Sequence, residues 1–88
     1  MNARAARPIG GLRNIGPRSA AWLVEVGVVT EEDLRRIGPV AAYVKVKAAQ
    51  PQAVGLNLLW SLQAALLDIR WTELPDAAKD ALKRELTA

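Results

Sequence analysis

One phrase occurs twice in this chain: Leu12-Arg13-Asn14-Ile15-Gly16-Pro17-Arg18-Ser19-Ala20 returns as Leu34-Arg35-Arg36-Ile37-Gly38-Pro39-Val40-Ala41-Ala42. In each copy a Gly-Pro step separates two apolar stretches with helical spacing. Glycine accepts left-handed backbone where a helix ends, and proline presets φ at the first position of the next helix, where its missing N–H would have no partner. Each copy therefore reads as helix, tight hairpin, helix. The helix start after such a hairpin carries unpaired N–H groups and the positive end of the helix dipole, which together favour an anion.

The two copies differ in chemistry. Around the first turn stand Arg13, Asn14, Arg18 and Ser19, all able to donate hydrogen bonds to a phosphate. The second keeps Arg35 and Arg36 ahead of the turn but follows it with Val40 and Ala41. The first hairpin is therefore the candidate phosphate contact, and the second is structural.

Eighty-eight residues make one small domain, which buries about 60 to 65% of its unfolded surface and leaves little room for a deep cleft. Apolar residues make up 51% and charged residues 24%, a globular rather than a disordered composition. No cysteine is present, so disulfides and thiol chemistry are excluded, and a cytoplasmic location is the natural expectation. The first ten residues lack the apolar core of a secretory signal. Formal net charge is +3, with a pI near 9.8. Residues 1–8 hold Arg4 and Arg7 and no acid, and read as a basic arm leading into a single domain over residues 9–88.

Helical patterns cover most of the chain. A short helix is expected over Ile9 to Asn14. The next runs from Pro17 to about Val26, with Ala20, Ala21, Leu23 and Val24 facing inward. Gly27 ends it. Thr30 reads as an N-cap with Asp33 completing a capping box, and Glu31 and Glu32 fall in the first turn where the dipole favours them. Capping thus explains the acidic cluster without catalysis or a metal. A fourth helix spans Pro39 to Ala49 and stops at Gln50-Pro51. Leu56 to Leu67 is apolar on nearly every side, which places it at the centre of a bundle, because so short a segment cannot span about 30 Å of hydrocarbon. Trp60 is its core anchor. Pro75 to about Leu86 is amphipathic, with Ala78, Leu82, Ala81 and Leu86 inward, and is expected to cross the central helix as a lid. The fold class is an all-α bundle of five to six short helices.

The stretch Leu12 to Ala20, followed by Gly27 and Thr30-Glu31-Glu32-Asp33-Leu34, resembles the helix-hairpin-helix module of DNA-repair proteins and the C-terminal domain of the bacterial RNA polymerase alpha subunit. A longer resemblance runs from Leu12 to about Leu82. The order of Asn14-Ile15-Gly16-Pro17-Arg18-Ser19-Ala20, Trp22-Leu23, Thr30 to Leu34, Ala42-Tyr43, Lys45, Lys47, Leu56 to Leu59, Ala64-Ala65-Leu66, Trp71 and Leu74-Pro75 is similar to the C-terminal domain of the TfoX/Sxy family of competence regulators. That resemblance implies a non-enzymatic bacterial regulatory protein tied to transcription of DNA-uptake genes. It also implies a helix-hairpin-helix-like core in the N-terminal half. Full-length members carry a further N-terminal domain, so this chain reads as a standalone copy of the C-terminal one. Against the usual hairpin, Asn14 replaces a first glycine; asparagine is the non-glycine residue best suited to left-handed backbone.

Two functions from different classes follow. In the first, Arg13, Asn14, Gly16, Arg18 and Ser19 hold DNA phosphates without reading bases. In the second, apolar surface around Trp22, Tyr43 or Trp71 docks on a transcription factor, on polymerase or on a second copy, with a monomer or a weak homodimer as the solution state. An enzyme is disfavoured: the chain has no His and no Cys, and Ser19 and Ser61 have no partner base. No cofactor or metal is expected.

Overall fold

The computed structural model describes residues 7–88 and is all-helical. Five α-helices follow one another: α1 (Pro17–Glu25), α2 (Glu31–Ile37), α3 (Pro39–Ala49), α4 (Leu56–Leu67) and α5 (Asp76–Thr87). Two short 3-10 turns, Ile9–Gly11 and Trp71–Glu73, complete the order.

The punctuation expected from the sequence sets most of these limits. Pro17 and Pro39 open α1 and α3. Thr30 caps α2 through a reciprocal box, its Oγ1 accepting from the Asp33 amide at 3.1 Å while the Asp33 carboxylate accepts from the Thr30 amide at 3.1 Å. At the end of α1, Gly27 takes φ 90; the Val28 amide reaches back to the Leu23 carbonyl and Gly27 to that of Val24, the pairing that closes a helix through a left-handed residue. α4 closes the same way with Asp68 (φ 56) in the glycine's place, Ile69 donating to Ala64 and Asp68 to Ala65.

The expected first helix is not formed. Ile9–Gly11 is one 3-10 turn, and Leu12 beyond it is extended. Gly10 and Gly11 are poor helix formers, and so short a segment does not repay the cost of nucleation. The segment is held from outside instead: Pro8 bridges Thr30, the Ile9 amide donates to the Val29 carbonyl at 2.9 Å, and Ile9 is buried.

Ridge against ridge, α3 packs on α4 and α2, α1 on α3 and the first 3-10 turn, and α5 on α3. Leu23, Leu34, Val46, Leu59 and Leu62, one or two from each of the first four helices, are wholly buried at the centre. α4 buries Leu58, Leu59, Trp60, Leu62, Ala64 and Ala65, while Leu56 and Leu67 at its ends stay exposed. On α1 the inward stripe is Ala20, Leu23 and Val26, flanked by Trp22; Ala21 and Val24, expected inside, lie on the outer side. α5 buries Leu82, with Ala78 and Leu86 packed against the core and Ala81 exposed. Its Lys79 and Lys83 ammonium groups lie 5.7 and 5.9 Å from the ring centroid of Trp60 in α4. Among the described residues no helix is long and apolar enough to cross a membrane.

Candidate nucleic-acid interface

The two copies of the repeated phrase fold differently at their turns. In the second, Gly38 itself takes φ 85 and serves both as the end of α2 and as the cap of α3. In the first, Gly16 is extended at φ −81, and the left-handed residue is Asn14, at φ 73. The expectation that glycine turns both hairpins is thus corrected at the first. A tertiary contact explains why: the Asn14 Nδ2 donates to the carbonyl of Ile69 at 2.8 Å, and its Oδ1 accepts from the Trp71 amide at 3.1 Å. Both ends of the carboxamide are engaged, which offsets the cost of left-handed backbone at a residue with a Cβ. Asn14 accordingly positions the hairpin, and one of its two amide N–H donors is left for a ligand.

The start of α1 is set up by this clamp. Gly16 precedes the helix without any side-chain cap, and the first turn holds no acid. Pro17 has no N–H, so the donors left at this end are the amides of Arg18 and Ser19. Arg18 is exposed, makes no ion pair among the described residues, and lays its guanidinium 4.9 Å from the centroid of the Trp22 ring, a cation–π arrangement that stiffens it without neutralising it. Arg13 is exposed too, but its Nε donates to Asp68 at 3.3 Å. A phosphate must compete with that carboxylate for Arg13.

The arginines ahead of the second turn are already engaged. Arg35 donates to Glu31 at 2.7 Å and Arg36 to Asp33 at 2.8 Å, both within α2. The second hairpin therefore presents neutralised arginines and an apolar helix start, in keeping with a structural role. Arg7 donates to the Gly11 carbonyl at 3.1 Å and lies 3.7 Å from Glu31, which binds this part of the expected basic arm to the fold; residues 1–6, with Arg4, lie outside the described residues. The Asp33 carboxyl is held below its ordinary value by hydrogen bonds from the Val29 and Thr30 amides, with Arg36 adding to them.

The three aromatic residues expected at a protein contact separate. Tyr43 is only 6% exposed and belongs to the core with Ala42 and Val46; it offers no surface. Trp22 is half-buried, Trp71 is 38% exposed, and Leu67 at the end of α4 is exposed as well.

One feature escaped the sequence reading. A groove of about 400 Å³ opens beside the first turn of α1, between Ser19 and Trp22 on one side and Val54, Asn57, Leu58 and Ser61 on the other. Its far wall is braced by Lys47, whose Nζ donates to the carbonyls of Pro51 and Val54. A lysine near the end of α3, followed by a Pro-containing loop, is the one sequence signal for this brace.

Compared with known proteins, the chain matches the family model described as the TfoX C-terminal domain over residues 5–86. No curated protein matches it. Among solved structures it is similar to an uncharacterized protein from Listeria monocytogenes in its triclinic form, at 28% identity and a TM-score of 0.81, over 91% of this chain and 90% of that one. It is likewise similar to a protein of unknown function from Listeria monocytogenes in a tetragonal form, at 29% identity and a TM-score of 0.79, over 86% of this chain and 93% of that one.

Proposed function

The chain belongs to the TfoX C-terminal domain family, whose members point to a regulatory role linked to competence, and from that membership we propose that it acts by holding DNA phosphates, without reading bases, at the start of α1. The amides of Arg18 and Ser19 receive one phosphate oxygen, the Arg18 side chain supplies charge, and Arg13 joins by exchanging Asp68 for phosphate. The observation that carries this reading is the contrast between helix starts. α2 has a full capping box and three acids in its first turn, and α5 has Asp76; α1, α3 and α4 all start without a side-chain cap or an acid, but of these three only α1 has an arginine and a serine in its first turn. A helix start left so is complementary to an anion from outside the chain. With one arginine at this helix start, Arg18, unpaired among the described residues, binding is weak and depends on salt.

A second reading, docking on a transcription-machinery protein, is favoured by exposed Trp71 and Leu67 at the end of α4. Large apolar residues left on a surface mark contact sites.

Fluorescence anisotropy of a labelled duplex at low salt, with the wild-type protein and Arg18→Glu, separates the two. The phosphate reading predicts binding that weakens as salt rises, by about 0.9 in log affinity per unit log salt for each phosphate neutralised, and that the charge reversal abolishes. Binding unaffected by Arg18→Glu overturns it. A Trp71→Ala variant that loses a protein partner while duplex binding persists assigns the second surface instead.

A further inference from the structure

We propose that the groove between Ser19 and Trp22 of α1 and Val54 to Ser61 takes an unstacked nucleobase, so that the protein prefers single-stranded over duplex DNA. This inference rests on the phosphate reading and extends it from backbone to base. At about 400 Å³ the groove lies within the range of small-molecule sites. Its composition is that of a base site: an aromatic ring, Trp22, with apolar Val54 and Leu58, and three short polar side chains, Ser19, Asn57 and Ser61. Asn57 carries both donors and an acceptor, and each serine both donates and accepts, so together they can pair with the edge of any base. Among the described residues these three make no side-chain hydrogen bond of their own, whereas Asn14 engages both its carboxamide nitrogen and its oxygen inside the fold.

Position links the groove to the phosphate site. Ser19 belongs to both: it lies in the first turn of α1 and lines the groove. Arg18, the principal cation, lies over the ring of Trp22, which forms the groove wall. A nucleotide whose phosphate sits at the Arg18 and Ser19 amides therefore has its base next to a stacking surface. In a duplex the bases are turned inward and stacked on each other, so only a single strand delivers one there. Base stacking on an aromatic side chain is tolerant of sequence.

The test compares a short oligothymidylate with a duplex of equal length, by anisotropy and by quenching of tryptophan fluorescence. The expected result is about tenfold tighter binding of the single strand, equivalent to about 1.4 kcal/mol, which one stacked base can supply. Trp22→Leu then removes that preference, lowering single-strand binding severalfold more than duplex binding. Asn57→Ala, at an exposed position, lowers single-strand binding alone and serves should the Trp22 variant fail to fold. Duplex binding with no preference for the single strand overturns the groove assignment and leaves the phosphate reading standing. Loss of both forms in Trp22→Leu, with the fold intact, also overturns it, because Trp22 then serves only to position Arg18. Binding of neither form by the wild-type protein removes both readings.

Discussion

Asn14 and Ile69, far apart in the chain, are joined by a hydrogen bond of 2.8 Å from the asparagine carboxamide to the isoleucine carbonyl. It fastens the turn before α1 to the turn after α4, and the Trp71 amide donates to the other end of the same carboxamide. The first hairpin is thereby held by the end of the central helix rather than by its own sequence.

Two variants separate the parts of this clamp. Asn14→Gly keeps the left-handed backbone and loses the two bonds, which costs about 1 to 3 kcal/mol. Asn14→Ala loses the bonds and also pays about 1 to 2 kcal/mol for left-handed backbone with a Cβ. Urea denaturation of both is expected to rank them wild type, Gly, Ala.

Asp68 offers a test in which stability and binding move separately. It closes α4 at φ 56 and pairs with Arg13 at 3.3 Å. Asp68→Gly relieves the backbone but removes an exposed ion pair worth about 0 to 1 kcal/mol, so unfolding is expected to change little. Arg13 is freed and an acid removed beside the hairpin. Duplex affinity measured by anisotropy at low salt is expected to rise.

Trp60 is buried in α4 beneath two lysines of α5. Trp60→Ala is expected to cost about 3 to 5 kcal/mol, a large share of the roughly 5 to 15 kcal/mol that holds such a domain. Calorimetry then shows a much lowered melting temperature or no cooperative transition.

Asp33 sets a pH dependence. Its folded-state pKa lies below the ordinary 3.8 because the Val29 and Thr30 amides, and then Arg36, bind the charged form. A depressed carboxyl contributes stability above its unfolded pKa, and this is lost as pH falls through the folded one. Denaturation midpoints of the wild-type protein are expected to drop below about pH 4, and those of Asp33→Asn to drop less over the same range.

Much of the fold was legible because its punctuation is local. Pro39 and Gln50-Pro51 bound α3, and the spacing of Thr30 and Asp33 fixes the start of α2. What was not legible is tertiary. Nothing near Asn14 in the chain announces Ile69 or Trp71, so the asparagine read as a phosphate donor and its role as a clamp was not visible. Tyr43 read as surface because α3 is apolar along most of its length, and only packing against other helices decides which face is covered. The paired Gly-Pro steps suggested one turn used twice, yet the segment before the first is a 3-10 turn pinned by Val29 and Thr30, contacts made across the chain.

The most direct test of the phosphate site is a heteronuclear NMR titration of the labelled protein with a short DNA duplex at low salt. The account predicts that shifts concentrate at the Arg18 and Ser19 amides and at the Arg13 and Arg18 side chains, and fade as salt is added. Shifts that spare the start of α1, or gather instead around Leu67 and Trp71, contradict it.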